Sequence, residues 1–392
     1  CKINYIKNGE ELFFNIVREE IEIKNVSFYG FVPETSNNAY IKLSGFSQTA
    51  GEEVKQALLK LKSKKEIESL ILDLRGNPGG LLDAAVDVCE KFLPKSALVV
   101  TVKGRDSLNV KKYFAKEEPI LNNKNIIVLT NEFTASAAEV VAGALQDHDK
   151  AVIVGENSFG KGLVQTIVSL PYGTSLKLTT AKYFTPSGRC IQKIDYANNS
   201  KIFVSNLSSQ KNEFLTDNKR KVFSSGGILP DSIVKSEIKN GIIETLNADG
   251  IFFKFITFYL NTNKNIEIQK VNYEKLYQDF IKYLNDNNYQ YSSKLLKLVN
   301  QLEENISKSN SSSKNIYDLI IQLKNQFYQQ NLNEIQTKKS EVILELKKEL
   351  FSRILGKEGR IIESLKNDIQ FLKSYEIITN QKKYNALLNI HN

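Results

Sequence analysis

The chemistry this sequence is best equipped for is attack by a hydroxyl group assisted by a base. Ser136 stands in Asn125–Asp147, NIIVLTNEFTASAAEVVAGALQD. There a run of β-forming apolar residues ends at Thr130, a short polar connection follows, and a helical pattern starts near Ser136. At such a junction the first-turn amides of the helix have no intrahelical acceptor and can donate to an oxyanion. The positive end of the helix dipole favours the same developing charge. A serine at a helix start is also a common N-cap, so position alone fits a structural hydroxyl as readily as a catalytic one.

A serine nucleophile needs a base. The chain has two histidines, His148 and His391. His148 lies twelve residues beyond Ser136 along the same helical pattern, roughly 18 Å away at about 1.5 Å per residue, and cannot take the Ser136 proton. His391 is the penultimate residue, where chain ends fray. A lysine is then the expected base, an arrangement found among serine hydrolases. Lys161 sits between two glycines in Ala151–Gln165, AVIVGENSFGKGLVQ. To act it must lose its proton near neutrality, against an ordinary lysine value of about 10.4, and burial among apolar groups is the physical route. Phe159, Leu163 and Val164 beside it suggest a tight, enclosed position.

The same segment also resembles the opening of a phosphate-binding loop, G-x-x-x-x-G-K-[ST]. Here the last position is Gly162, without a hydroxyl for a metal ion, and Leu163–Leu170 reads as a strand where a helix is required. Nucleotide binding is therefore set aside. A third segment, Ile71–Gly80, ILDLRGNPGG, reads as a buried strand running into a Gly/Pro/Asn turn. The turn is either a plain β-to-α connection or a place where the Gly79 or Gly80 amide approaches a ligand closely, as glycine permits.

These segments require elements that hold them. Residues 3–6, 11–18 and 20–26 alternate with period two, with Asn8-Gly9 as a hairpin turn between the first pair. From Ala39 strands and helices alternate: strands at Ala39–Ser44, Ser69–Leu74, Ala97–Val102, Asn125–Thr130 and Ala151–Val154, helices at Gly51–Ser63, Leu81–Phe92 and Ala135–Asp147. This predicts an α/β core on a largely parallel sheet. Leu163–Leu170 and Ser175–Phe184 form two further β runs around Pro171-Tyr172-Gly173. A polar stretch to about Ser225 reads as an irregular insertion. From about Phe252 the periodicity is helical, with a Ser/Asn-rich break at Ser307–Lys314, and its apolar stripes read as mutual packing surfaces.

Composition sets outer limits. With 392 residues, 41% hydrophobic and 25% charged, the chain predicts two or three domains of ordinary globular make-up. It contains no Met and no apolar run of membrane-spanning length, so the chain is expected to begin after processing or to be a fragment. The formal charge of +9 lies mostly after residue 250, interleaved with Asn, Gln and Glu. It reads as a solvated helical face and not as a nucleic-acid footprint. Cys1, Cys89 and Cys190 show no metal-ligand spacing and no disulfide framework. Cys89 reads as a buried thiol, and Cys1 as either a fragment's first residue or a lipid-modified one.

Taken together, LDLRGNPGG at 72–80, TASAAEVVAGALQD at 134–147, GENSFGKGLVQ at 155–165, TTAKYFTPSGRCIQ at 179–192 and GGILPD at 226–231 resemble the blocks of the carboxy-terminal processing peptidases, also called tail-specific proteases. The order matches, and the resemblance covers roughly residues 1–235. The insertion between Ile191 and Gly226 and the helical tail resemble the Bacteroidetes-type variant. One departure is visible: the family's Ser-Ala-Ser-Ala-Ser-Glu reads Thr-Ala-Ser-Ala-Ala-Glu here.

The resemblance implies Ser136 as nucleophile, Lys161 as general base and Gln165 as the residue orienting Lys161. It implies an oxyanion hole from the amides of Ala137 and of Gly79 or Gly80, and an acidic position at Asp147 that reads as structural. It implies a β/α spiral (crotonase-like) protease core with a β-rich cap, and no metal or cofactor. The expected division is 1–27 as the last part of a PDZ domain, 28–245 as the protease core with its cap, and 246–392 as a helical region. Partners would be protein or peptide substrates with free C-termini, not nucleic acid. A homo-oligomer through the helical tail and a peripheral association with the bacterial cell envelope, periplasmic or membrane-anchored, complete the expectation. The rival reading is a catalytically inactive scaffold protein of the same fold.

Overall fold

The structure is a computed structural model that describes residues 2–7, 10–21, 23–104, 110–195, 202–203, 212–224, 226–236, 241–287, 289, 294–308 and 314–390. Cys1, the Asn8-Gly9 turn and His391 lie outside them. The chain divides into two compact units, Cys1–Ile233 with Asn380–Asn392, and Val234–Thr379.

The first unit opens with an antiparallel pair, β1 (Lys2–Lys7) and β2 (Glu10–Asn15), in register Lys7 with Glu10. The alternation expected over 20–26 forms no strand at the described residues 20, 21 and 23–25; Ile16, Val17, Ile21 and Ile23 are exposed, so no apolar face is buried to hold one. Val26 instead starts β3 (Val26–Phe31), followed by β4 (Asn38–Leu43), α1 (Ala50–Lys64), β5 (Ser69–Asp73), α2 (Leu82–Glu90), β6 (Leu98–Gly104), β7 (Val110–Phe114), β8 (Asn125–Thr130), α3 (Ala137–Asp147) and β9 (Val152–Gly155). Next come the long hairpin β10 (Leu163–Ser169) and β11 (Ser175–Phe184), the short pairs β12 (Ile194–Asp195) with β13 (Ile202–Phe203) and β14 (Glu213–Leu215) with β15 (Lys221–Phe223), and β16 (Ser232–Ile233).

Six strands make a mixed sheet in the order β16-β9-β8-β5-β4-β3. All neighbours are parallel except β3 with β4. Every residue of β5 and β9 is buried, as expected of central strands covered on both faces. Leu58 and Leu61 of α1, Val88 of α2, Phe92 just past it and Leu145 of α3 join them in one apolar cluster. A second, antiparallel sheet runs β10-β11-β6-β7.

The register places the three sequence segments together. Asp73 at the end of β5 lies beside Leu129 of β8, and Thr130 at the end of β8 lies beside Gly155 of β9. The three parallel strands therefore release RGNPGG, NEFTAS and ENSFGKG from the same edge of the sheet, the carboxyl end where open α/β sheets hold their ligands. Across the sheet's opposite edge, the last helix of the chain, α11 (Gln381–Leu387), returns to this unit. The Tyr384 hydroxyl donates to the Ile126 carbonyl at 3.0 Å and accepts from the Ile126 amide at 2.9 Å.

The second unit consists of α4 (Gly241–Ala248), α5 (Ile251–Thr262), α6 (Tyr273–Asp286), α7 (Lys294–Lys308), α8 (Lys314–Thr337), α9 (Lys339–Leu365) and α10 (Ile369–Thr379). The boundary expected at residues 245–246 falls inside α4. The reason is packing: Ile242, Ile243 and Leu246 belong to the helical core with Phe252, Phe255, Phe280 and Leu346. Phe252 stacks on Phe280 at 5.3 Å between ring centroids, and Phe255 meets the same ring edge-on at 5.2 Å. Among the described residues no helix is long and apolar enough to cross a membrane.

Candidate active site

Ser136 is the residue immediately before α3, with φ 56° and ψ −117°. These are the angles of the first central residue of a type II′ turn, which glycine normally occupies. For a residue with a side chain such backbone costs about 1–3 kcal/mol and persists only where its surroundings impose it. They do so from both sides. The Ala135 amide donates to the Asn77 carbonyl at 2.9 Å, and the Phe159 amide to the Thr134 carbonyl at 2.9 Å. The Thr134 hydroxyl donates to the Leu74 carbonyl at 2.9 Å. Ser136 itself is half-buried.

The two candidate chemical residues meet through a third. The Ser136 amide donates to Glu139 Oε2 at 2.8 Å, and the Lys161 amide donates to the same oxygen at 2.8 Å. The two nitrogens are thus no farther apart than twice that length. An extended lysine side chain spans roughly 6 Å over five bonds of about 1.5 Å. The separation of the two main chains is therefore comparable with the length of a lysine side chain. The glycines flanking Lys161 are needed for this close path: Gly160 has φ +85°, and a Cβ there would lie 2.5 Å from Lys193 Cβ, while one on Gly162 would lie 2.4 Å from the Gln192 amide nitrogen.

The side chains themselves are placed differently from the expectation. Lys161 is exposed, not enclosed, and its amine has no hydrogen-bond or ion-pair partner among the described residues. The glycines enclose the main chain only. Gln165 is also exposed, at a β-bulge between Val164 and Gln165, and makes no hydrogen bond to Lys161. The nearby apolar side chains Leu81, Phe133 and Phe159 point outward, at 48%, 60% and 52% exposure. Such a rim buries its area only when something covers it.

The two glycines of RGNPGG differ. The Gly79 amide donates to Asn77 Oδ1 at 2.8 Å, closing the turn on itself. The amides of Gly80 and Ala137 have no acceptor among the described residues. Gly79 lies against the serine segment: a Cβ on it would stand 2.6 Å from the Ala135 oxygen, 2.8 Å from Ser136 Cβ and 2.9 Å from the Ala137 nitrogen. The turn is fixed by Asn77, whose side chain donates to the Leu43 carbonyl at 2.8 Å, and by Asp73. Burial opposes the Asp73 charge, but Arg75 and Lys42 with the Arg75 and Tyr40 hydrogen bonds outweigh it and hold the carboxyl well below the usual range.

Two other residues singled out in the sequence act elsewhere. His148 follows α3 and bonds Asp217 at 2.8 Å and the Leu98 carbonyl at 2.7 Å. Asp147 is fully buried, pairs with the equally buried Arg189 and accepts the Ser187 amide at 2.9 Å, so it anchors the TPSGR turn. The residue that sequence reasoning passed over is Glu139. Burial pushes its carboxyl up from the ordinary range, against the lowering effect of the Ser158 hydroxyl and the Lys161, Gly160 and Ser136 amides. The Ser-x-x-Glu spacing of a capping box was its visible signal.

Comparison with known proteins matches residues 37–202 to peptidase family S41. Residues 242–378 match the C-terminal helical domain of a probable PDZ-protease. Over 195 residues, 49% of this chain, the sequence is 42% identical to the carboxy-terminal-processing protease of Bartonella bacilliformis, covering 44% of that protein. It is 43% identical over 155 residues, 40% of this chain, to the carboxyl-terminal-processing protease of a Synechocystis strain, covering 35% of it. It is 36% identical over 195 residues, 49% of this chain, to the carboxy-terminal processing protease CtpB of Bacillus subtilis, covering 39% of that protein. The matched stretch is less than half of each relative's length.

Proposed function

We propose that this chain, which belongs to the carboxy-terminal processing peptidases of family S41, is a serine endopeptidase cleaving polypeptides near their carboxyl termini, with Ser136 as nucleophile and Lys161 as its base. The observation that carries the reading is the single Glu139 oxygen holding the amides of both residues. It sets a separation that a lysine side chain can bridge. The strained Ser136 backbone supports the same role, since strain at one over-determined residue marks functional positions.

In this reading Ser136 Oγ attacks the scissile carbonyl carbon while Lys161 Nζ takes the hydroxyl proton. The carbonyl oxygen becomes an oxyanion held by the free amides of Ala137 and Gly80; Gly79 shapes the turn and does not donate. Collapse breaks the C–N bond, and the amine leaves with the proton from Lys161. Water then hydrolyses the acyl-enzyme, again with Lys161 as base, and frees Ser136. Lys161 is exposed, and its covering by bound polypeptide is part of the cycle. Leu81, Phe133 and Phe159 supply the apolar rim for that cover, and Gln165 takes its orienting role in the covered state. The substrates are unfolded or tagged protein tails, the site is in the bacterial cell envelope, and the core is the crotonase-like spiral with its cap, preceded by the end of a PDZ domain.

The test is incubation of an unstructured protein with the wild-type chain, Ser136→Ala and Lys161→Ala, with fragments read by mass spectrometry. Wild type should cleave, Ser136→Ala should not, and Lys161→Ala should lose about 10²- to 10⁴-fold. Equal cleavage by all three contradicts the assignment. The exposure of Lys161 is the one observation favouring an inactive scaffold; absence of cleavage by the wild-type chain would favour that reading.

A further inference from the structure

The Ser136–Lys161 reading gives no task to Glu139, a carboxylate fully buried in the first turn of α3. A capping box needs one carboxylate oxygen and one amide, and Ser136 supplies that amide. Glu139 does more. Its Oε2 also takes the Lys161 amide at 2.8 Å, while Oε1 takes the Gly160 amide at 2.6 Å and the Ser158 hydroxyl at 2.5 Å. Three of the four donors come from Ser158–Lys161, a segment after β9. The fourth is the main chain of Ser136. Ser158 is tied in turn to the GGILPD block, since the Ile228 amide donates to its hydroxyl at 2.6 Å.

Burying a carboxylate costs several kcal/mol unless its lone pairs are filled. Nearly the whole set of partners is here drawn from the two segments whose relative placement governs the chemistry. We propose that Glu139 is a positioning residue of the peptidase site, fixing the Ser136 and Lys161 main chains on one anion and so setting the distance from which the amine reaches the hydroxyl. The proposal rests on the Ser136–Lys161 reading.

Two conservative variants separate positioning from charge and from simple stabilisation. Glu139→Asp keeps the charge but withdraws the carboxylate by one methylene, about 1.5 Å, so it loses its grip on both segments. Glu139→Gln removes the charge but keeps the reach. Its new amide can face Ser158, whose hydroxyl can turn to accept, and the Gly160 amide then loses its acceptor, while the remaining oxygen keeps Ser136 and Lys161. Positioning therefore predicts that Asp is the worse variant. In the full chain kcat should fall roughly 10- to 100-fold in Glu139→Asp and roughly 3- to 10-fold in Glu139→Gln. KM should stay within about three-fold, and the acid limb of the kcat/KM pH profile should not move.

The opposite order, with Glu139→Asp near wild type and a shifted acid limb in Glu139→Gln, overturns the proposal in favour of a charge effect. Lower melting temperatures with unchanged kcat per folded molecule overturn it in favour of a capping role alone. If neither variant folds, Ser158→Ala decides. A fall in kcat of about three-fold or more at unchanged KM supports positioning, and an unchanged kcat refutes it. Ser136→Ala is run alongside. Cleavage by that variant would sink the underlying reading, whereas an inert Ser136→Ala beside fully active Glu139 variants would sink only the inference.

Discussion

Gly79→Ala tests the site geometry through one methyl group. Gly79 has φ +92°, and the added Cβ would lie 2.6 Å from the Ala135 oxygen, 2.8 Å from Ser136 Cβ and 2.9 Å from the Ala137 nitrogen. Ordinary contacts begin near about 3.5 Å, so these atoms must yield by roughly 0.5–1 Å. None is the free end of a flexible side chain; all three belong to the serine segment. The backbone angle costs about 1–2 kcal/mol and the overlap about 1–3. The folded protein should survive with a lowered melting temperature. Displacing a nucleophile by about 1 Å costs on the order of 10²-fold in turnover, so kcat/KM on an unstructured protein should fall by about that factor. Gly76→Ala is the control. Gly76 also has a positive φ, +73°, but nothing lies within 4 Å of its Cβ position. It should lose stability and keep turnover within about three-fold. A folded Gly79→Ala protein with wild-type kcat/KM would refute the placement of the RGNPGG turn against Ser136.

Further outcomes follow from the charges that fix the surrounding loops. Asp147→Ala leaves Arg189 buried at 2% exposure, with its Nε and Nη1 atoms already unpartnered, and should cost about 3–5 kcal/mol in chemical denaturation. An unchanged denaturation midpoint would show that the pair is not needed. Asp73 is held below its unfolded-state value of about 4, so its stabilisation is complete above that pH and is lost as pH falls below it. Asp73→Asn should be less stable than wild type by about 3 kcal/mol at pH 7, with the gap narrowing below about pH 4. A gap constant across the titration would contradict the ionised, arginine-paired Asp73.

The parallel core was legible because burial leaves continuous apolar runs. Ser69–Leu74 and Ala151–Val154 read as strands and form within one residue of those bounds, and Asn125–Thr130 and Ser175–Phe184 have the bounds their β-formers suggest. The Ser136 junction was legible from the change of period at Thr130. Less visible were effects with no local signature. Ser136's positive φ is imposed by Asn77, Thr134 and Glu139, and Glu139 gains its partners only through the β8–β9 register, which brings Gly160 and Lys161 to it. Lys161 was expected to be enclosed because its neighbours are apolar. In an exposed loop Phe159 points to solvent, and neighbours in sequence do not become neighbours in packing. The strand expected over 20–26 failed for the converse reason, since alternation without a partner face does not hold a strand.

If Ser136 is a nucleophile made reactive by Lys161, covalent labelling will find it. The full chain is treated with a fluorophosphonate, the modified residue is mapped by tandem mass spectrometry, and the labelling rate is compared with that of Lys161→Ala. A single adduct is expected on Ser136, formed about 10²- to 10⁴-fold more slowly in Lys161→Ala. An adduct on another serine, or equal labelling rates in the two proteins, would contradict it.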